Sequence, residues 1–171
     1  MRIAVTRWMA GIVCVGMALL GVAGVPAAAQ MKKGADDPTQ KELYAYVLTM
    51  DKVKKVAEIT KELNEYRKAH PEMDKDDSVS DDAKNFDDEA KKLETKAPQA
   101  AAIIQKNGLS TREYLVAMFT YMQAYFMVSM KRAGQIPDYS KADGIVSSKN
   151  LRFVEEHFDE LQQLESAMQS S

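Results

Sequence analysis

Apolar residues recur every three to four positions along most of this chain, the spacing of helices. The pattern is clearest from Met50 onward. Val53, Val56, Ala57, Ile59, Leu63 and Tyr66 share one helical face, while Lys54, Lys55, Glu58, Lys61, Glu62 and Glu65 share the other. Such a stripe predicts an amphipathic helix with one side for a core. Thr49 is placed to cap it, with Asp51 in the first turn. Pro71 ends it near Ala69, because the residue before proline avoids helical geometry. Upstream, Asp37-Pro38 offers a helix start with proline at the first position, and Leu43 to Leu48 reads as a first helical piece.

Further along, residues 72–82 are dense in Asp and Ser and read as a loop. A weaker helix is expected from Asp81 to Thr95 with Phe86, Ala90 and Leu93 inward, then a short one from Ala100 to Lys106, ended by Asn107-Gly108. Ser110 and Glu113 form a capping-box pair ahead of a long apolar run. That run, Tyr114 to Met130, is interrupted only by Thr120, Gln123 and Ser129, so it lacks a polar face and belongs in the middle of a bundle. Gly134 and Pro137 end it. A loop over 135–148 leads to a last helix, Lys149 to Met168, striped by Leu151, Val154, Phe158, Leu161, Leu164 and Met168. The predicted fold is all-α: an irregular bundle of four to six helices with a central buried helix around 111–132.

The first 29 residues stand apart. Arg2 and Arg7 precede an uncharged stretch from Trp8 to Val25, and Ala27-Ala28-Ala29 follows. This is the order of a secretory signal with a small-residue cleavage site. A retained anchor is the rival reading, but Gly11, Gly16, Gly21, Gly24 and Pro26 weaken the stretch as a permanent span. Cys14 lacks the small residue expected just before a lipidated cysteine. The expected organisation is a signal peptide over 1–29, a lead-in over 30–38, and one helical domain over 39–171. Its expected location is the periplasm or outside the cell. Without the signal, the chain makes no stable membrane insertion.

Charge narrows the function classes. The 23 basic and 25 acidic residues give a formal net charge of −2. Losing Arg2 and Arg7 makes it −4. Nucleic-acid binding by phosphate neutralisation is therefore not expected. The one Cys and the one Trp leave with the signal. A mature chain without thiols has no thiolate nucleophile, thiolate metal site or disulfide.

Candidate chemistry is sparse. His157 falls inside the stripe of the last predicted helix, between Val154 and Leu161, where it is either a packed core residue or a haem or metal ligand. His70, the other histidine, ends a helix before Pro71. Met118, Met122, Met127 and Met130 lie on the central helix; thioethers bind copper(I), although their spread around the helix suits gap-filling in a core. Asp74, Asp76, Ser78, Ser80 and Asp82 alternate like the start of a calcium loop. However, Val79 stands where the turn needs Gly, and Asn85 where a bidentate Glu is needed. Asp87-Asp88 sits on an exposed-looking face. No nucleophile elbow, HExxH or Gly-rich phosphate loop is present.

Three segments carry a resemblance: Leu48-Thr49-Met50-Asp51-Lys52-Val53, Gly108-Leu109-Ser110-Thr111-Arg112-Glu113-Tyr114, and Asn150-Leu151-Arg152-Phe153-Val154-Glu155-Glu156-His157. The chain resembles a group of small exported helical proteins from environmental bacteria. That resemblance implies an all-α fold and export, and no particular activity. The helix order is also similar to that of periplasmic four-helix b-type cytochromes, where an early Met and a late His bind haem. Met50 and His157 are the nearest matches, in a longer chain with different spacing. The leading expectation is a non-enzymatic binding or interaction module of the cell envelope. It has no required cofactor, and its partner is a protein or a small molecule. The alternative is a periplasmic haem or copper carrier using His157 and Met50. An enzyme built on unlocated carboxylates comes third.

Overall fold

A computed structural model describes residues 37–70 and 85–169. The expected signal, most of the lead-in, and the acidic 72–82 loop with its calcium-like spacing lie outside these residues. The described residues form seven α-helices and no strand: α1 Pro38–Ala45, α2 Met50–Ala69, α3 Phe86–Lys96, α4 Pro98–Lys106, α5 Thr111–Arg132, α6 Ser148–Glu156 and α7 Phe158–Gln169. A 3-10 turn, Ser140–Ala142, interrupts the α5–α6 connection.

Capping residues set most of the helix starts. The Asp37 side chain accepts from the Thr39 N–H, Thr49 from Lys52, Ser110 from Glu113, and Ser147 from Asn150. Each satisfies one of the amides that a first turn leaves without an intrahelical partner. The third helix starts later than its sequence pattern suggests, at Phe86, because Asn85 accepts from the Asp88 N–H and holds extended geometry. Pro98 opens α4 directly after Ala97, which both ends α3 and precedes the proline in a non-helical conformation. Gly134 ends α5 with φ +69°, and the amides of Gly134 and Gln135 return to the carbonyls of Lys131 and Met130. That geometry closes the helix and suits a residue without Cβ.

Helix α5 is the central element. It packs against α1, α2, α3, α4 and α6 and runs through two apolar clusters. Its first half joins Leu43, Val56, Ile59, Phe86, Ala90, Ile104 and Leu109 through Tyr114, Leu115, Val116 and Ala117. Its second half joins Leu48, Val53, Val146, Leu151, Val154 and Leu161 through Tyr121, Ala124 and Val128. The burial is uneven, however. Phe126 is 52% exposed, and Met118, Phe119, Met122 and Met130 are half-buried. The central buried helix expected from the apolar run is present, and its Met118–Phe126 face is less deeply covered than the face that carries Val116, Ala117, Tyr121, Ala124 and Val128.

The last predicted helix is in fact two. Its register breaks at His157, which caps α6 with φ −109° and ψ 13° before α7 begins at Phe158. The cause lies in packing direction. Helix α6 lies against α5, whereas α7 lies against α2. One straight helix cannot follow both partners, because its apolar stripe would drift away from one of them. The break lets Leu151 and Val154 on one side of it, and Leu161 on the other, all reach the second cluster.

Candidate functional site

A solvent-open cleft of about 540 Å³ lies between α1, the 139–146 segment and α6. Tyr44 stands at its rim, Val146 and Leu151 lie in its floor, and Tyr139, Arg152 and Glu155 line its walls. Two of the three exposed large apolar side chains in the described residues, Tyr44 and Val47, come from α1 and the linker that follows it.

Long-range polar contacts fix the walls. Asn150 sits on the first turn of α6 and is 1% exposed. Its Oδ1 accepts from the Leu48 N–H at 3.0 Å, and its Nδ2 donates to the Tyr46 carbonyl at 2.7 Å. One amide side chain thus satisfies the backbone of the extended α1–α2 linker and ties it to α6, more than 100 positions away. Gln40 Nε2 donates to the Ile145 carbonyl at 2.7 Å, which ties α1 to the opposite wall. On the α6 side, Glu155 Oε1 accepts from Lys131 Nζ at 2.8 Å and from the Tyr139 hydroxyl at 2.7 Å. Lys131 also lies 4.3 Å from the centre of the Tyr139 ring. Hydrogen bonds from Lys131 and then Tyr139 hold the Glu155 carboxyl below the usual carboxylate range. Burial, reinforced by Glu155, raises the Tyr139 phenol. Tyr139 therefore stays a neutral donor and Glu155 an occupied acceptor.

The residues singled out from sequence fall elsewhere. His157 leaves the apolar stripe because α6 ends on it. Its side chain is 41% exposed, with Nδ1 3.9 Å from Glu160 and its ring 5.0 Å from Phe153. The expected desolvated histidine is thus a half-exposed one at a helix junction. Met50 opens α2 and packs against the second cluster. Met118 packs against the first cluster and Met127 against the second, on different sides of α5. Asn85, the twelfth position of the calcium-like spacing, is a helix cap. Asp87 accepts from Arg112, which also pairs with Glu42 at 2.6 Å and so links α1, α3 and α5. Among the described residues no three His, Cys, Asp or Glu side chains group as a metal site, and no helix is long and apolar enough to cross a membrane.

Sequence reasoning missed Asn150, Tyr44 and Arg152. The pattern held one signal for Asn150: an amide on the buried side of a helix, one residue before Leu151, is costly unless it is fully bonded. The chain matches no protein-family model, no curated protein and no solved structure.

Proposed function

We propose that this protein is a non-enzymatic binding module of the cell envelope, exported by its N-terminal signal, and that it holds its ligand in the cleft between α1 and α6. The observation that carries this reading is the cleft itself. Its volume of about 540 Å³ falls in the range of small-molecule sites, its rim is aromatic, and of its two lining carboxylates, Asp143 and Glu155, the second is tied up by internal partners. A general base needs a free lone pair within reach of substrate. Glu155 directs Oε1 to Lys131 and Tyr139, which suits a structural wall better than proton transfer.

Filling the cleft tests the reading. Ser148 lines it and is exposed at the first turn of α6. Ser148→Trp should leave the fold intact while occluding the space. A low-molecular-weight fraction from the native envelope should raise the melting temperature of the parent protein and not that of the variant. An equal rise in both would place binding outside the cleft and overturn the proposal.

A further inference from the structure

One helix break in this fold has no breaker. Of the other junctions between described helices, α1–α2 runs through the extended 46–49 linker, α3–α4 meets Pro98, α4–α5 turns at Gly108 and α5–α6 at Gly134. From Ser148 to Gln169 there is neither Gly nor Pro, yet α6 ends at Glu156 and α7 begins at Phe158. The His157 N–H still donates to the Phe153 carbonyl at 3.1 Å, and the Leu161 N–H to the His157 carbonyl at 3.0 Å. Between them, the amides of Phe158, Asp159 and Glu160 have no acceptor among the described residues. A straight helix would give these three the carbonyls of Val154, Glu155 and Glu156. Local preference thus favours one helix, and the packing of α7 on α2 holds it bent.

The contacts that hold α7 are ones a second copy can supply. Leu161 is fully buried, and Phe158 and Leu164 pack with it in the second cluster. Glu160 pairs with Lys54 of α2 at 3.0 Å, and the Phe158 ring stacks on Tyr125 of α5 at 5.3 Å. If α7 swung out by straightening, that surface would be bare, and what complements it is the same α7 of another molecule. We infer that α7 exchanges between two copies of this chain. His157 opens, residues 148–169 run as one helix about 33 Å long, and each α7 docks on the α2 and α5 of the other copy. The contacts of α7 with α2 and α5 are rebuilt, and each chain gains three backbone hydrogen bonds. The cost is the lost freedom of joining two molecules, so concentration sets the balance. A short hinge and an identical exchanged element are what such dimers need. The inference does not depend on the cleft.

Two truncations at the hinge test it. His157→Ala and His157→Gly lose the same side-chain contacts and differ in helix preference. That preference counts once per hinge and so twice in a dimer. The dimer dissociation constant of His157→Ala should therefore be about 15- to 25-fold lower than that of His157→Gly. Sedimentation equilibrium over a concentration series reads both constants. Equal association of the two variants, or no dimer of His157→Ala at any concentration reached, would overturn the exchange. A cross-link then tells an exchanged dimer from a side-by-side one. Lys54→Cys and Glu160→Cys are added to His157→Ala, with Cys14→Ser so that no third thiol is present. Applied to the isolated dimer, a bifunctional maleimide should join α2 of one chain to α7 of the other and give a doubled mass on a denaturing gel. Single-chain mass from that dimer would show that α7 keeps its own α2, and the inference would fail.

Discussion

Removing the Asn150 side chain should uncouple the linker behind α1 from α6. In Asn150→Ala the Leu48 N–H and the Tyr46 carbonyl each lose their amide partner. A buried backbone group without a partner costs about 1–3 kcal/mol. Adding a small cavity where the amide stood brings the loss to about 3–5 kcal/mol. That is a large part of a typical stability of about 5–15 kcal/mol. At about 4 °C per kcal/mol for a domain of this size, the melting temperature should fall by roughly 12–20 °C. Asn150→Asp separates hydrogen bonding from volume. Its carboxylate still accepts from Leu48 but sets an anion against the Tyr46 carbonyl, whereas the protonated acid can donate to it. Burial raises the folded pKa of such a group above its unfolded value of about 3.9. The variant should therefore be closest to the parent below that value and lose ground as pH rises through the folded pKa. Urea titrations of both variants at pH 3.5 and pH 7 check this. An Ala variant within 1 kcal/mol of the parent, or an Asp variant indifferent to pH, would refute the clamp.

Three further outcomes are expected. Val128→Asp, at a fully buried position of α5, should cost about 3 kcal/mol or more. Met122→Asp, at a half-buried position of the same helix, should cost less; urea midpoints that fall equally would contradict the unequal burial of its two faces. Burial also raises the Glu165 carboxyl, an effect the neighbouring Tyr121 hydroxyl offsets only in part. Its stabilising contribution is therefore complete below the unfolded value of about 4.3 and lost as pH rises through the folded value. Glu165→Gln should then melt higher than the parent at pH 7 and alike at pH 4, and equal melting at both would remove the effect. Finally, the exported protein should begin at Gln30 by intact mass, and a species retaining Cys14 would overturn the signal reading.

Helices were legible in this sequence because their signals are local. Thr49, Ser110 and the Asp37-Pro38 pair announce their caps within four residues, and the Val53–Tyr66 stripe needs only a 3.6-residue period. The break at His157 was not legible. The residues on either side keep helical spacing, and what divides them is that α6 and α7 pack on different helices. The shallower burial of the Met118–Phe126 face of α5 was hidden for a related reason: an apolar circumference states what a helix tolerates, not how deeply its neighbours cover it. The cleft is the extreme case. Tyr44 meets residues 139–155 across about 100 positions, and no periodicity within either segment points to the other. His157 drew attention as a rare residue type on an apparent stripe, while the residues that line the cleft are ordinary ones brought together by tertiary contacts.

The rim of the cleft is carried by the shortest of the described α-helices. Helix α1 has eight residues, too few to be stable alone in water. Its position depends on Leu43 in the first cluster, the Glu42–Arg112 ion pair, the Gln40–Ile145 hydrogen bond and the Asn150 clamp just beyond its end. Tyr44 rides on that helix, so the rim is set by contacts whose partners lie on α5, α6 and the intervening loop. A ligand that touches Tyr44 and α6 together adds one more such contact. Its binding free energy is then partly spent on ordering α1, and it should slow amide exchange in α1 more than in α3 or α4, which do not border the cleft.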